Sequence, residues 1–110
     1  MLEITPTAKL RVMAEYETSG IWLVELDGVS LIEHEDIGLP QQLSDRFYKW
    51  IALYFGRLTD SGAAEWPLDR FNAMGRELAK ELKNFVGPDI GIEYIPELPG
   101  DLAGPPEPIN

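Results

Sequence analysis

Ile21-Trp22-Leu23-Val24-Glu25-Leu26-Asp27-Gly28-Val29-Ser30-Leu31-Ile32-Glu33 is the stretch on which the fold turns. Ile21 to Leu26 is apolar at five of six positions, the pattern of a strand covered on both faces and therefore central in its sheet. Asp27-Gly28 follows at once and suits a type I′ turn, whose positive φ angles match the twist of paired strands. Val29 to Glu33 then returns as the other arm of a hairpin. In the central arm Trp22, Val24 and Leu26 face one way, and Ile21 and Leu23 face the other.

Upstream, Leu10 to Tyr16 alternates: Leu10, Val12, Ala14 and Tyr16 point to one side, Arg11, Met13 and Glu15 to the other. Thr18-Ser19-Gly20 supplies the turn into the hairpin, so three strands form a meander. Downstream, His34 to Pro40 is a connector, and Pro40 suits a helix start because its missing N–H is not needed there. The spacing predicts a first helix over Pro40 to Leu58, with Leu43, Phe47, Trp50, Ile51, Tyr54 and Leu58 as its core stripe. Tyr48, Ala52 and Phe55 make a second stripe on another side. Thr59 to Glu65 is a polar loop, and Trp66-Pro67 opens a second helix. Its stripe is Phe71, Met74, Leu78, Leu82 and Phe85, with Gly75 and Ala79 between, and Gly87-Pro88 is its stop. Asp89 to Ile95 alternates as a fourth strand.

These elements predict an α+β fold in the order β-β-β-α-α-β: a small antiparallel-type sheet with two antiparallel helices on one face. Residues 1–96 are expected to form one α+β domain, and the Pro-rich residues 97–110 an extended tail. With helices on one face only, the opposite face of the central strand needs a cover. The tail, a second copy in a homodimer or a foreign partner each suits that role.

Composition narrows the chemistry. The 110 residues suffice for one domain with its own core, and the 45% apolar and 25% charged fractions are those of ordinary globular chains. There is no cysteine, which excludes disulfides, zinc–thiolate sites and thiol nucleophiles. Met1 to Ala8 shows no basic region ahead of an apolar run, so no secretory signal is expected. The longest uninterrupted apolar run, Trp50 to Phe55, is far short of a membrane span. No serine lies in G-x-S-x-G, and both the phosphate-binding loop and the dinucleotide fingerprint are missing. His34, the single histidine, stands between Glu33 and Glu35-Asp36, but a catalytic zinc site needs three protein ligands in place. A solvated connector is expected, with no metal, no cofactor and no enzymatic activity.

Charge is the positive signal. The net charge is −10, and the basic residues are confined to Lys9, Arg11 and seven positions from Arg46 to Lys83. Between Val12 and Asp45 no cation offsets Glu15, Glu17, Glu25, Asp27, Glu33, Glu35, Asp36 and Asp45. Such sorting produces a one-sided negative field that steers cationic partners and repels phosphate backbones and anionic lipids. A basic protein partner is therefore expected, not nucleic acid or membrane. Asp27, Glu33, Glu35 and Asp36 are expected as an acidic rim, with Tyr48 and Phe55 as apolar anchors.

Two stretches give the chain a family likeness: Asp36-Ile-Gly-Leu-Pro-Gln-Gln-Leu-Ser-Asp-Arg-Phe-Tyr-Lys-Trp50 and Phe71-Asn-Ala-Met-Gly-Arg-Glu-Leu-Ala-Lys-Glu-Leu82. With its size, acidity, lack of cysteine and order of elements, the chain resembles the small acidic immunity proteins that bacteria make against competitors' toxins. The resemblance implies a cytoplasmic protein that binds one toxin domain and blocks its active site or an essential surface. It further implies a basic, nuclease-type toxin as one natural target. Two other functions fit an acidic binding protein: a DNA mimic directed at a defence protein, and a secretion chaperone or adaptor covering an apolar client segment.

Overall fold

The computed structural model describes residues 4, 7–15, 17–59, 67–99 and 102–110, with the side chains of 55–59 outside that description. Strand β1 is Lys9–Val12, β2 Ile21–Glu25 and β3 Gly28–Leu31. A 3-10 turn, His34–Ile37, leads into helix α1, Gln41–Thr59, and helix α2 is Leu68–Val86. Strand β4 is Gly91–Tyr94, β5 Glu97–Leu98, β6 Leu102–Ala103 and β7 Glu107–Ile109. The main sheet has the order β3-β2-β1-β4-β7, and β5 pairs with β6 in a separate ribbon.

The fold is the expected α+β arrangement, with one difference of pairing. The meander β3-β2-β1 is antiparallel, but β4 returns parallel to β1, so the sheet is mixed. Charge accounts for the choice of edge. On the open side of the sheet Arg11 sits opposite Glu93, and Lys9 and Arg11 both reach its carboxylate at 2.6 Å. At the β3 edge the same carboxylate would lie beside Val29 and Leu31 with no cation. Burial pushes the Glu93 carboxyl up, but the hydrogen bonds from Lys9 and Arg11 outweigh it and hold the group below the ordinary carboxylate range. Beyond Pro96, where a tail was expected, β5 pairs antiparallel with β6, and the last strand, β7, joins the main sheet antiparallel to β4. Arg76 of α2 grips Glu107 of β7 through two hydrogen bonds, at 2.8 and 2.9 Å.

The helices cover the face formed by Leu10, Val12, Ile21, Leu23, Ile92 and Tyr94. The predicted stripe of α1 is buried at Leu43, Phe47, Trp50, Ile51 and Tyr54. Trp50 stacks on Phe71 of α2, with ring centroids 4.9 Å apart, and its Nε1–H donates to Phe71 O at 3.0 Å. An indole buries about 200 Å², which is worth roughly 5 kcal/mol at about 25 cal/mol per Å². This stack therefore anchors the helix pair. Gly75 lets α2 sit directly on the Tyr94 ring, where a methyl group would have no room. Tyr94 donates to Asn72 Oδ1 at 2.7 Å, and Asn72 in turn holds the main chain of Glu97. Helix α2 stops at Gly87, whose φ of 95° suits only glycine well. Lys83 then donates to Ile90 O at 2.6 Å, placing a cation at the negative end of the helix.

The turn between β2 and β3 sits one residue earlier than the sequence suggests. Glu25 pairs with Gly28, so Leu26 and Asp27 form the two-residue loop, and neither has the positive φ of a type I′ turn. As a result Leu26, expected on a strand face, stands at the tip and is 93% exposed.

Candidate functional site

The site is built where the β1–β2 loop meets the 3-10 turn, and His34 is its keystone. His34 is only 3% exposed, which corrects the expectation of a solvated connector residue. Its Nε2 lies 2.8 Å from Ser19 O, a carbonyl that only accepts, so this nitrogen carries a proton. In the neutral ring Nδ1 then accepts the Ser44 hydroxyl, at 2.6 Å. One imidazole thus ties the β1–β2 loop to the start of α1. Ser19 adds a second tie: its hydroxyl donates to Ile32 O at 2.5 Å and accepts the Ile21 N–H at 3.2 Å. With both nitrogens committed, the imidazole has none to spare for a metal. Among the described residues no group of three or more histidine, aspartate or glutamate side chains is placed to hold a metal ion.

Over this support lies an open groove of about 500 Å³ between the loop and α1. Glu17 and Glu33 stand on its rim, and Tyr48, Ile51 and Ala52 supply its apolar wall. Tyr48 lies against His34, ring centroids 4.6 Å apart, and remains 47% exposed. Glu35 and Asp36 follow on the exposed side of the turn, where Asp36 Oδ2 accepts the Glu33 N–H at 2.9 Å. Among the described residues none of Glu15, Glu17, Glu33, Glu35 and Asp36 is held in an ion pair. The cations nearest in sequence are committed elsewhere: Lys9 and Arg11, upstream of Glu15, are spent on Glu93, and Arg46, downstream of Asp36, pairs with Glu81.

The expected rim is therefore only partly one surface. Glu33 and Tyr48 line one groove, with Glu35 and Asp36 next to Glu33 on the turn, but Asp27 does not join them. It lies beyond the far end of β3, about 20 Å along the strand from Glu33 at roughly 3.3 Å per residue. The Phe55 side chain lies outside the described residues, as does Trp66. Glu15 and Glu17 take the place left by Asp27. Their position follows from topology, because the first loop of a meander and the end of its third strand share one end of the sheet.

A second groove, of about 340 Å³, opens between the helices and is opposite in charge. Arg46, Lys49 and Arg70, with Glu77 as the one carboxylate, surround a floor of Ala73, Met74 and Leu78. Arg46 pairs with Glu81, whereas Lys49 and Arg70 have no ion-pair partner among the described residues. The charge sorting seen in the sequence is thus also a spatial one: anionic at the loop end, cationic on the helix layer.

An open, acid-rimmed groove beside a half-exposed tyrosine is the geometry of a binding surface. The model of the Serratia CdiI immunity protein-like family matches residues 8–97, most of the chain, and the protein belongs to that family. Membership implies a toxin-neutralising role, exercised by binding a toxin protein. Neither a curated protein nor a solved structure matches the chain. Among the described residues no helix is long and apolar enough to cross a membrane.

Proposed function

We propose that the protein neutralises a toxin domain by presenting the acidic groove at its loop end to a cationic surface of that domain. Glu17, Glu33, Glu35 and Asp36 pair with lysines or arginines of the toxin, and Tyr48 fills an apolar recess among them. Binding there blocks the toxin's active site or a surface it needs, and a nuclease, whose own substrate is anionic, suits such a partner. The protein works in the cytoplasm on this account. The observation that carries the proposal is the pair Glu17 and Glu33, without ion-pair partners among the described residues, lining one groove with half-exposed Tyr48 over the support that His34 ties together. Lys49 and Arg70 interrupt any phosphate-like array over the helices and weigh against a DNA mimic.

The test is the association of the toxin domain that the protein neutralises with the triple variant Glu33→Gln, Glu35→Gln, Asp36→Asn. Charge steering raises association rates from about 10⁵–10⁶ towards 10⁸ M⁻¹s⁻¹ and is screened by salt. The triple variant should associate at least about 10-fold more slowly, with a flatter dependence on salt. Tyr48→Ala should act on the dissociation rate instead. An association rate indifferent to both the substitutions and salt would refute the steering role.

A further inference from the structure

The two edges of the sheet differ in a way the acidic groove does not explain. The outer edge of β7 is blunted, because Pro108 opposite Glu93 has no N–H to offer and Pro105 and Pro106 precede the strand. The outer edge of β3 carries no proline, no lysine and no strand among the described residues, and all four of its residues are exposed. The pairing fixes which of its main-chain groups are free. The Ile32 N–H donates to Ile21 O, and bonded and non-bonded pairs alternate along an antiparallel ladder. Gly28 and Ser30 therefore spend their N–H and C=O groups on Glu25 and Leu23. Val29 and Leu31 turn theirs outward.

We propose that the toxin partner adds a strand of its own to this edge, bonding to the main chain of Val29 and Leu31. The inference rests on the protein being a toxin-binding inhibitor and names a contact beyond the acidic groove. The side chains around the edge specify the visitor. Val29 and Leu31, 49% and 38% exposed, continue an apolar strip across the open face to Val24 and Trp22. Glu25 and Asp27 flank one end of β3, and Glu33 and Glu35 the other. An extended segment with an apolar centre and lysine or arginine at both ends satisfies all of these groups.

A second copy of this chain does not. The antiparallel register that uses the free groups of both copies sets Val29 opposite Leu31, and so places Asp27 of each copy opposite Glu33 of the other. Like charges directly opposite across a strand pair are destabilising, here twice over between molecules each carrying a net −10.

Amide hydrogen exchange tests the proposal on the unaltered protein, free and saturated with the toxin domain that it neutralises. In the free protein the Val29 and Leu31 amides should exchange fast, with Ser30 protected. In the complex both should slow by at least about 100-fold. Leu31→Pro removes one outward N–H without touching the β2–β3 ladder, an edge position where proline is tolerated. It should weaken binding at least 10-fold while Ser30 keeps its protection. A saturated complex in which both amides stay open and Leu31→Pro binds normally overturns strand addition and leaves the acidic contact standing. Protection of both amides without toxin, together with a dimer in sedimentation, overturns it in favour of a second copy. Failure of the unaltered protein to bind the toxin overturns this proposal and the functional one together.

Discussion

Replacing Gly75 with alanine should destabilise this protein, although alanine is the better helix former. A Cβ at position 75 would lie 2.5 Å from the Tyr94 hydroxyl and 2.6 Å from its Cζ, about an ångström inside normal contact. Tyr94 has nowhere to go: it is fully buried between the sheet and α2 and bonded to Asn72. The helix propensity of alanine returns about 1 kcal/mol. Overpacking costs about 1–3 kcal/mol, and losing the Tyr94–Asn72 hydrogen bond about 1 kcal/mol more. The net is a loss of about 1–3 kcal/mol, or a fall in Tm of at least roughly 4 °C for a domain of this size. Urea unfolding of the single variant and of Gly75→Ala in a Tyr94→Leu background measures both the cost and its cause. With the ring gone, alanine should show its propensity advantage and the sign should reverse. A Gly75→Ala protein as stable as the parent, or an equal cost in both backgrounds, would refute the close-packing account.

Two further outcomes follow from the site and its support. Glu17 has φ 59°, a left-handed conformation that costs a residue with a Cβ about 1 kcal/mol, so Glu17→Gly should raise stability by about that amount while slowing toxin association; a variant no more stable than the parent would show that the loop does not hold that conformation in solution. The Glu93 carboxyl titrates below its ordinary range in the folded protein, so its contribution to stability is complete above the unfolded carboxylate range and is lost as pH falls through the lower folded value. The hydrogen bonds of Arg76 depress Glu107 in the same direction. Urea midpoints between pH 7 and pH 2.5 should fall less steeply for Glu93→Gln than for the parent, and equal slopes would exclude a role for this carboxylate.

Much of the architecture was legible because its signals are local. The two helical stripes, apart from Phe85, which is exposed at the end of α2, the alternation in β1 and β4, and the Gly87-Pro88 stop each reflect a backbone period or a φ constraint read within a few residues. The hairpin was legible too, but its register was not. Asp27-Gly28 fits a type I′ turn by itself, yet pairing Glu25 with Gly28 moves the loop back by one and carries Leu26 from a strand face to the tip. His34 escaped sequence reading for a different reason. Its neighbours in the chain are acidic and exposed, and its partners, Ser19 and Ser44, are remote in sequence. The acidic rim shows the same division. Glu33, Glu35 and Asp36 are adjacent along the chain and stayed together, whereas Asp27 was separated from them by the length of β3.

The sequence by itself determined which segments up to Tyr94 are strands and helices, which of their faces are apolar, and that negative charge is sorted from positive. All of these are properties of neighbouring residues. It did not show the short strands β5, β6 and β7 beyond Pro96. Only the tertiary structure decided that β4 joins β1, that Lys9 and Arg11 are consumed by Glu93, that Glu17 stands beside Glu33 and Tyr48, and that the β3 edge is left open. Those outcomes depend on which distant groups meet across the sheet, where one buried carboxylate needing two cations outweighs any local preference.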